Sequence, residues 1–152
     1  MRVAHVYYKK GNQLLMLHKH SRDWWVAPGG KAITGEDILD TARREFWEET
    51  GLTAKHMQLC CVSTIEVLDE NEHKDMLLFS FFVTEASGEQ LDENHEGVLA
   101  WQDIDTIHDL RMPQGDHFII EHILGNNNFV EIARFQYDAD YNLKEYKLEG
   151  AE

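Results

Sequence analysis

Apolar residues in this chain fall into short runs separated by polar turns, with one stretch repeating at the helical period. Val3 to Tyr8 and Gln13 to His18 flank Lys9-Lys10-Gly11-Asn12 and read as a hairpin. Trp24 to Val26 form a short extended piece leading into Pro28-Gly29-Gly30. Leu39, Ala42 and Phe46 then recur three and four residues apart, the stripe of an amphipathic helix. That helix starts at Asp37, or is capped by Thr34 with Asp37 in its first turn, and ends near Gly51. Leu59 to Val67 and Met76 to Val83 read as strands around the polar Asp69 to Asp75 turn, and Val98 to Trp101 as another. Phe118 to Leu124 predicts a second helix ending at Gly125, and Phe129 to Tyr137 with Tyr141 to Leu148 a final hairpin. This order predicts one α/β domain over residues 1–152, a sandwich with a mixed sheet between helices.

On the predicted helix, Glu45, Glu48 and Glu49 stand three and four residues apart, so their carboxylates leave one face, opposite the apolar stripe. Like charges at a spacing of four cost a helix about 0.2–0.5 kcal/mol per pair, which a cation between them would reverse. Oxygen ligands with room for waters and phosphates describe a Mg²⁺ or Mn²⁺ site, whereas zinc favours His and Cys. Arg44 can pair with Glu48 one turn on, or reach back to Glu36 and brace the loop. Taken alone, an E-x-x-E-E run is usually a solvated acidic face.

The wider spacing decides otherwise. Gly30, Glu36, Arg44, Glu45, Phe46, Glu48, Glu49, Gly51 and Leu52 fit G-x5-E-x7-R-E-U-x-E-E-x-G-U, with U a bulky apolar residue. Seven fixed residue types make a chance match in a chain this short of order 10⁻⁷. By this box the chain resembles the Nudix hydrolases, with their α/β/α sandwich around a mixed sheet. The resemblance implies cleavage of a pyrophosphate linkage by metal-activated water. It implies that Glu45, Glu48 and Glu49 hold the metals, Arg44 orients one of them, the Gly29 carbonyl adds a ligand, and Glu36 is a structural partner beside Gly30 and Gly51. A further acid outside the box often serves as ligand or general base. Glu96, in Asn94-His95-Glu96-Gly97, is the candidate by position, with Glu93 or Asp92 able to take the role.

At 152 residues with a formal charge of −14, the chain is expected not to bind long nucleic acid, which needs Lys and Arg to displace counterions. A small nucleotide drawn in by bound metal and local cations remains open, with Lys31 a candidate phosphate contact. No apolar run approaches the roughly 20 residues of a membrane span and no signal-peptide pattern is present, so a cytoplasmic protein, monomer or homodimer, is expected. Adjacent Cys60 and Cys61 are read as reduced strand residues. The histidines are assigned no catalytic role; His5, His18 and His20 are placed on strands or their ends.

Element order and the Glu-Gly…Trp segment are similar to the MutT-like, 8-oxo-dGTP diphosphatase members, implying release of a monophosphate and pyrophosphate. In the animal members an Asn near Val26 and a Trp near Met112 help hold the base. Both positions differ here, so that recognition does not carry over. Asp116 or Gln114 could read a purine edge instead, and Trp24, Phe81 or Met112 could stack on it. The same chemistry could serve ADP-ribose, nucleotide sugars, dinucleoside polyphosphates or RNA 5′ ends. A non-catalytic nucleotide-sensing domain is a further possibility, though such domains commonly lose box acids and none is lost here.

Overall fold

The computed structural model describes residues 1–150. Twelve strands and two α-helices follow in the order β1 (Arg2–Lys10), β2 (Gln13–Lys19), β3 (Trp24–Val26), β4 (Gly29–Lys31), α1 (Ile38–Thr50), β5 (Leu52–Lys55), β6 (Gln58–Leu68) and β7 (Lys74–Val83). They continue with β8 (Glu85–Gly88), β9 (Glu93–Asn94), β10 (Gly97–Asp103), a 3-10 turn over Ile104–Asp109, α2 (Gln114–Leu124), β11 (Glu131–Asp138) and β12 (Leu143–Gly150).

The main sheet runs β12-β11-β6-β7-β1-β2-β10-β9, with β3 on β2 and β4 on β1. It is mixed: β1 lies parallel to β7 and β11 parallel to β6, while the other pairs are antiparallel. The expected β1–β2 hairpin exists but holds only at Lys9 with Leu14 and Lys10 with Gln13. Beyond those pairs the strands part. β1 runs along β7 from Arg2 to Tyr8, and β2 runs along β10 from Gln13 to Lys19.

Both faces of these central strands are apolar because both are covered. Val3 and Tyr7 of β1 join Leu14 and Met16 of β2 in a core with Ile119, Ile120 and Ile123 of α2. Ala4, Val6 and Tyr8 join Leu15 and Leu17 in a second core with Ala42 and Phe46 of α1. The two helices therefore cover opposite faces of the sheet, the sandwich that the apolar runs predict.

The sequence placed α1 closely: Asp37, not Thr34, is the N-cap, accepting from the Asp40 amide at 2.8 Å, and Gly51 closes the helix at φ 78°. Other boundaries differ. α2 starts four residues before Phe118, because Gly115 lies against Phe135 and Tyr137 where a Cβ would clash. The last hairpin starts at Glu131, not Phe129. Cys60 and Cys61 are free and buried on β6. No helix among the described residues is long and apolar enough to cross a membrane.

Candidate functional site

A cleft of about 640 Å³ opens between the N-terminal half of the sheet, the acidic face of α1 and the start of α2. Glu45, Glu48, Glu49 and Glu96 line it together with Gly29 and Lys31.

Two of these acids, Glu45 and Glu48, are held by Arg44. Its Nε donates to Glu36 Oε2 at 2.8 Å, one terminal nitrogen to Glu36 Oε1 at 3.0 Å and the Lys31 carbonyl at 3.0 Å, and the other to Glu45 at 2.7 Å and Glu48 at 3.3 Å. Both partners that the spacing offered Arg44 are thus engaged at once. Glu36 also accepts from the Thr41 hydroxyl at 2.7 Å and the Ile33 amide at 3.2 Å. The Arg44 guanidinium and these donors hold the Glu36 carboxyl down at about 2. Glu36 and Arg44 form a fixed bracket that ties the β4–α1 loop to the helix.

Glu45 lies flat on the backbone of β4, and a Cβ on Gly30 would collide with its carboxylate. Glu49 is 4% exposed and accepts from the Gly29 amide at 3.2 Å. Burial pushes its carboxyl up to about 8, with Glu96 and Glu45 adding to the rise and Gly29 and Lys19 opposing it. Glu48 stays at the surface, its side chain 48% exposed.

Glu96 reaches this group through Asn94, a residue that no pattern along the chain singles out. Its amide donates to the Glu49 carbonyl at 3.0 Å while its Oδ1 accepts from the Glu96 and Gly97 amides at 2.8 and 3.1 Å. The β9–β10 turn is thereby tied to the last turn of α1. Lys19 sits 3.8 Å from Glu96, and His95 3.9 Å. The alternatives Glu93 and Asp92 do not line the cleft.

These carboxylates suit an oxygen-preferring divalent cation. Glu49 is a buried acid with other acids beside it, and a cation there would restore its ionised form. Among the described residues no three His, Cys, Asp or Glu side chains are grouped so that they could hold a metal ion by themselves. Mg²⁺ needs no such group, since it keeps several waters and takes one or two carboxylates plus substrate phosphates.

The other end of the cleft is aromatic. Trp24 packs edge-on against Tyr141 with ring centroids 5.4 Å apart, and the Arg22 guanidinium lies 4.6 Å from the Tyr141 centroid. Asp116 is 5% exposed and its Oδ2 has no partner; burial pushes its carboxyl up to about 7. Trp24, Asp116 and Tyr141 line the cleft, but Gln114 does not. The Gln114 side chain instead accepts from the Leu143 amide at 2.8 Å, fixing the start of β12. Phe81 and Met112 are core residues outside the cleft lining. Tyr141 carried no signal in the sequence, since the turn between β11 and β12 brings it to Trp24; Arg22, in the turn before β3, lies over both rings.

Comparison with known proteins accords with this geometry. The NUDIX domain family model matches residues 1–123. The uncharacterized Nudix hydrolase YvcI of Bacillus subtilis is 32% identical over 150 residues, 97% of this chain and 94% of its own length. An oxidized purine nucleoside triphosphate hydrolase of Danio rerio is 32% identical over 129 residues, 84% of this chain and 79% of its own. The crystal structure of a MutT protein from Bacillus halodurans superposes with a TM-score of 0.91 at 39% identity, covering 97% of both chains. The box, the helix that carries it and the sheet that frames it therefore have one meaning: the chain belongs to the Nudix hydrolases, enzymes of phosphorus-containing anhydrides.

Proposed function

We propose that the chain is a Mg²⁺-dependent nucleoside triphosphate pyrophosphohydrolase of the cytoplasm, acting on oxidised purine nucleotides such as 8-oxo-dGTP and releasing monophosphate and pyrophosphate. The observation that carries this reading is the polarity of one cleft, acidic at the α1 end and aromatic at the Trp24 end. A triphosphate with a planar base has the same polarity. The Danio rerio relative, an oxidized purine nucleoside triphosphate hydrolase by name, supports the choice of base.

In this reading Glu45, Glu48 and Glu49, with Glu96 and the Gly29 carbonyl, hold Mg²⁺, for which Mn²⁺ could substitute. A metal held there would supply charge to neutralise the phosphates and to lower the pKa of the attacking water. Arg44 fixes the rotamers of Glu45 and Glu48, so the ligands are oriented before substrate arrives. Glu96, tethered through Asn94, would be the group to take the proton of that water. Lys31 offers a cation to the phosphates. Asp116 presents its unpaired oxygen to the N–H edge of the purine, and Trp24 with Tyr141 walls the base.

The test is hydrolysis with Mg²⁺ of 8-oxo-dGTP, the ordinary nucleoside triphosphates, ADP-ribose, nucleotide sugars, diadenosine polyphosphates and triphosphorylated RNA, with products identified by mass and Glu48→Gln as blank. Highest kcat/KM for 8-oxo-dGTP, with monophosphate and pyrophosphate as products, is expected. A preference for ADP-ribose or a sugar nucleotide would overturn the substrate and keep the chemistry. Binding without turnover of any compound would make this a nucleotide-sensing domain.

A further inference from the structure

The polar atoms around the cleft divide into those that the protein already engages and those that it leaves alone. Glu45 and Glu49 belong to the first kind, held by Arg44 and the Gly29 amide. His5 belongs to the second. It lies at the middle of β1, in register with Gly29 of β4 on one side and Ser80 of β7 on the other, and it lines the cleft floor. Its Nδ1 is buried without a partner, and among the described residues neither ring nitrogen makes a hydrogen bond. With Nδ1 sealed, Nε2 is the nitrogen left to face the cleft.

An orphaned polar atom lowers stability, so its persistence asks for a reason. Position supplies one. The ring packs against Gly29, where a Cβ would stand 2.8 Å from His5 Cδ2. It is therefore beside Gly29, whose amide holds Glu49, in the cleft that Trp24 and Asp116 also line. A nucleotide that reaches from the acids to Asp116 crosses the cleft that His5 lines, and the part next to its phosphates is the sugar–phosphate junction. An imidazole can give or accept one hydrogen bond there, whereas its surroundings on the sheet floor, Val3, Ile65 and Leu78, can give none.

We propose that His5 is a substrate-binding residue whose Nε2 hydrogen-bonds the sugar–phosphate junction of the bound nucleotide. The assignment rests on the nucleotide reading above. Its bond is present before and during the reaction, so it acts on affinity more than on the chemical step.

Kinetics of His5→Phe, His5→Gln and His5→Asn on the best nucleotide of the panel, with the melting temperature of each variant, test it. His5→Phe removes the bond and is expected to lower kcat/KM about 3- to 10-fold, carried mainly by KM, the worth of one neutral hydrogen bond. Its melting temperature should not fall, because an orphaned polar atom has been removed. His5→Gln places an amide near the Nε2 position and should restore KM. His5→Asn reaches only the Nδ1 position and should not. An unchanged KM in folded His5→Phe would overturn the proposal, as would a fall in kcat at constant KM. Equal KM in the Gln and Asn variants would overturn it even if the Phe variant does not fold. Wild-type protein that turns over no nucleotide would remove the nucleotide reading and His5 with it, an outcome distinct from a normal enzyme indifferent to His5.

Discussion

Gly30 measures how little room the acid cluster leaves. Adding one methyl there drives a Cβ into the Glu45 carboxylate, so Gly30→Ala should push that acid off Arg44 and lower turnover far more than the loss of a glycine's freedom alone would. Circular dichroism beside the rate separates the two effects: a folded, slow enzyme is expected. Glu48 is the opposite case. Half exposed and bound only to Arg44, it contributes little to the fold, so Glu48→Gln should keep the melting temperature within a few degrees. Turnover should fall at least about 100-fold, the scale of weakened metal coordination. Unchanged turnover would sink the metal assignment. Asp116 carries a pH prediction. Its folded carboxyl sits at about 7 and its ordinary value is 3.8, so between those values the folded state holds a proton that the unfolded state has lost. Its contribution to stability therefore falls as pH rises from about 4 to about 7 and is flat above. Asp116→Asn lacks this penalty, so its gain in melting temperature over wild type should be larger at pH 8 than at pH 4.5.

At the scale of elements, α1 carries most of the site, and Asp37 starts it. Asp37→Ala should cost about 1 kcal/mol in a denaturant melt, the usual worth of a capping side chain. This helix was legible almost to the residue, because its cap, its stripe and its terminal glycine are all local signals. α2 was legible only from Phe118, since Gly115 and Asp116 lack helical character of their own and are drawn in by packing on Phe135 and Tyr137. β4 was missed for a related reason: a Gly-Gly-Lys segment has no strand propensity and becomes one by pairing with β1. The site divides along the same line. Glu45, Glu48, Glu49 and Arg44 follow from spacing within one helix. Tyr141 and His5 come to the cleft, and Asn94 to the anchor of Glu96, from strands and turns distant in sequence, where no period marks them. Gln114, like Asp116 a candidate to read the purine edge, lies outside the cleft and is bonded to β12.

For the molecule as a whole, the charge of −14 is spread over the surface while Lys19, Arg22 and Lys31 ring the cleft. Excess negative charge works against the compact state, and a divalent cation bound among the acids should relieve it locally. Mg²⁺ is therefore expected to raise the melting temperature in proportion to the logarithm of its concentration once saturating. Glu49→Gln, which removes the carboxyl that a bound cation would ionise, should shrink that rise, and an equal shift in the variant would place the cation elsewhere. The parting of β1 from β2 has a consequence of another kind. β1 meets its neighbour in sequence at two pairs only, yet runs the full stretch from Arg2 to Tyr8 beside β7, with Leu77 opposite Arg2. On a ribosome adding about 5–20 residues per second, the earlier strand waits roughly 4 to 15 s for its partner. During that interval, and until α2 follows, the face that carries Val3 and Tyr7 has no helix to cover it, which makes the nascent N-terminal segment a natural client for a chaperone.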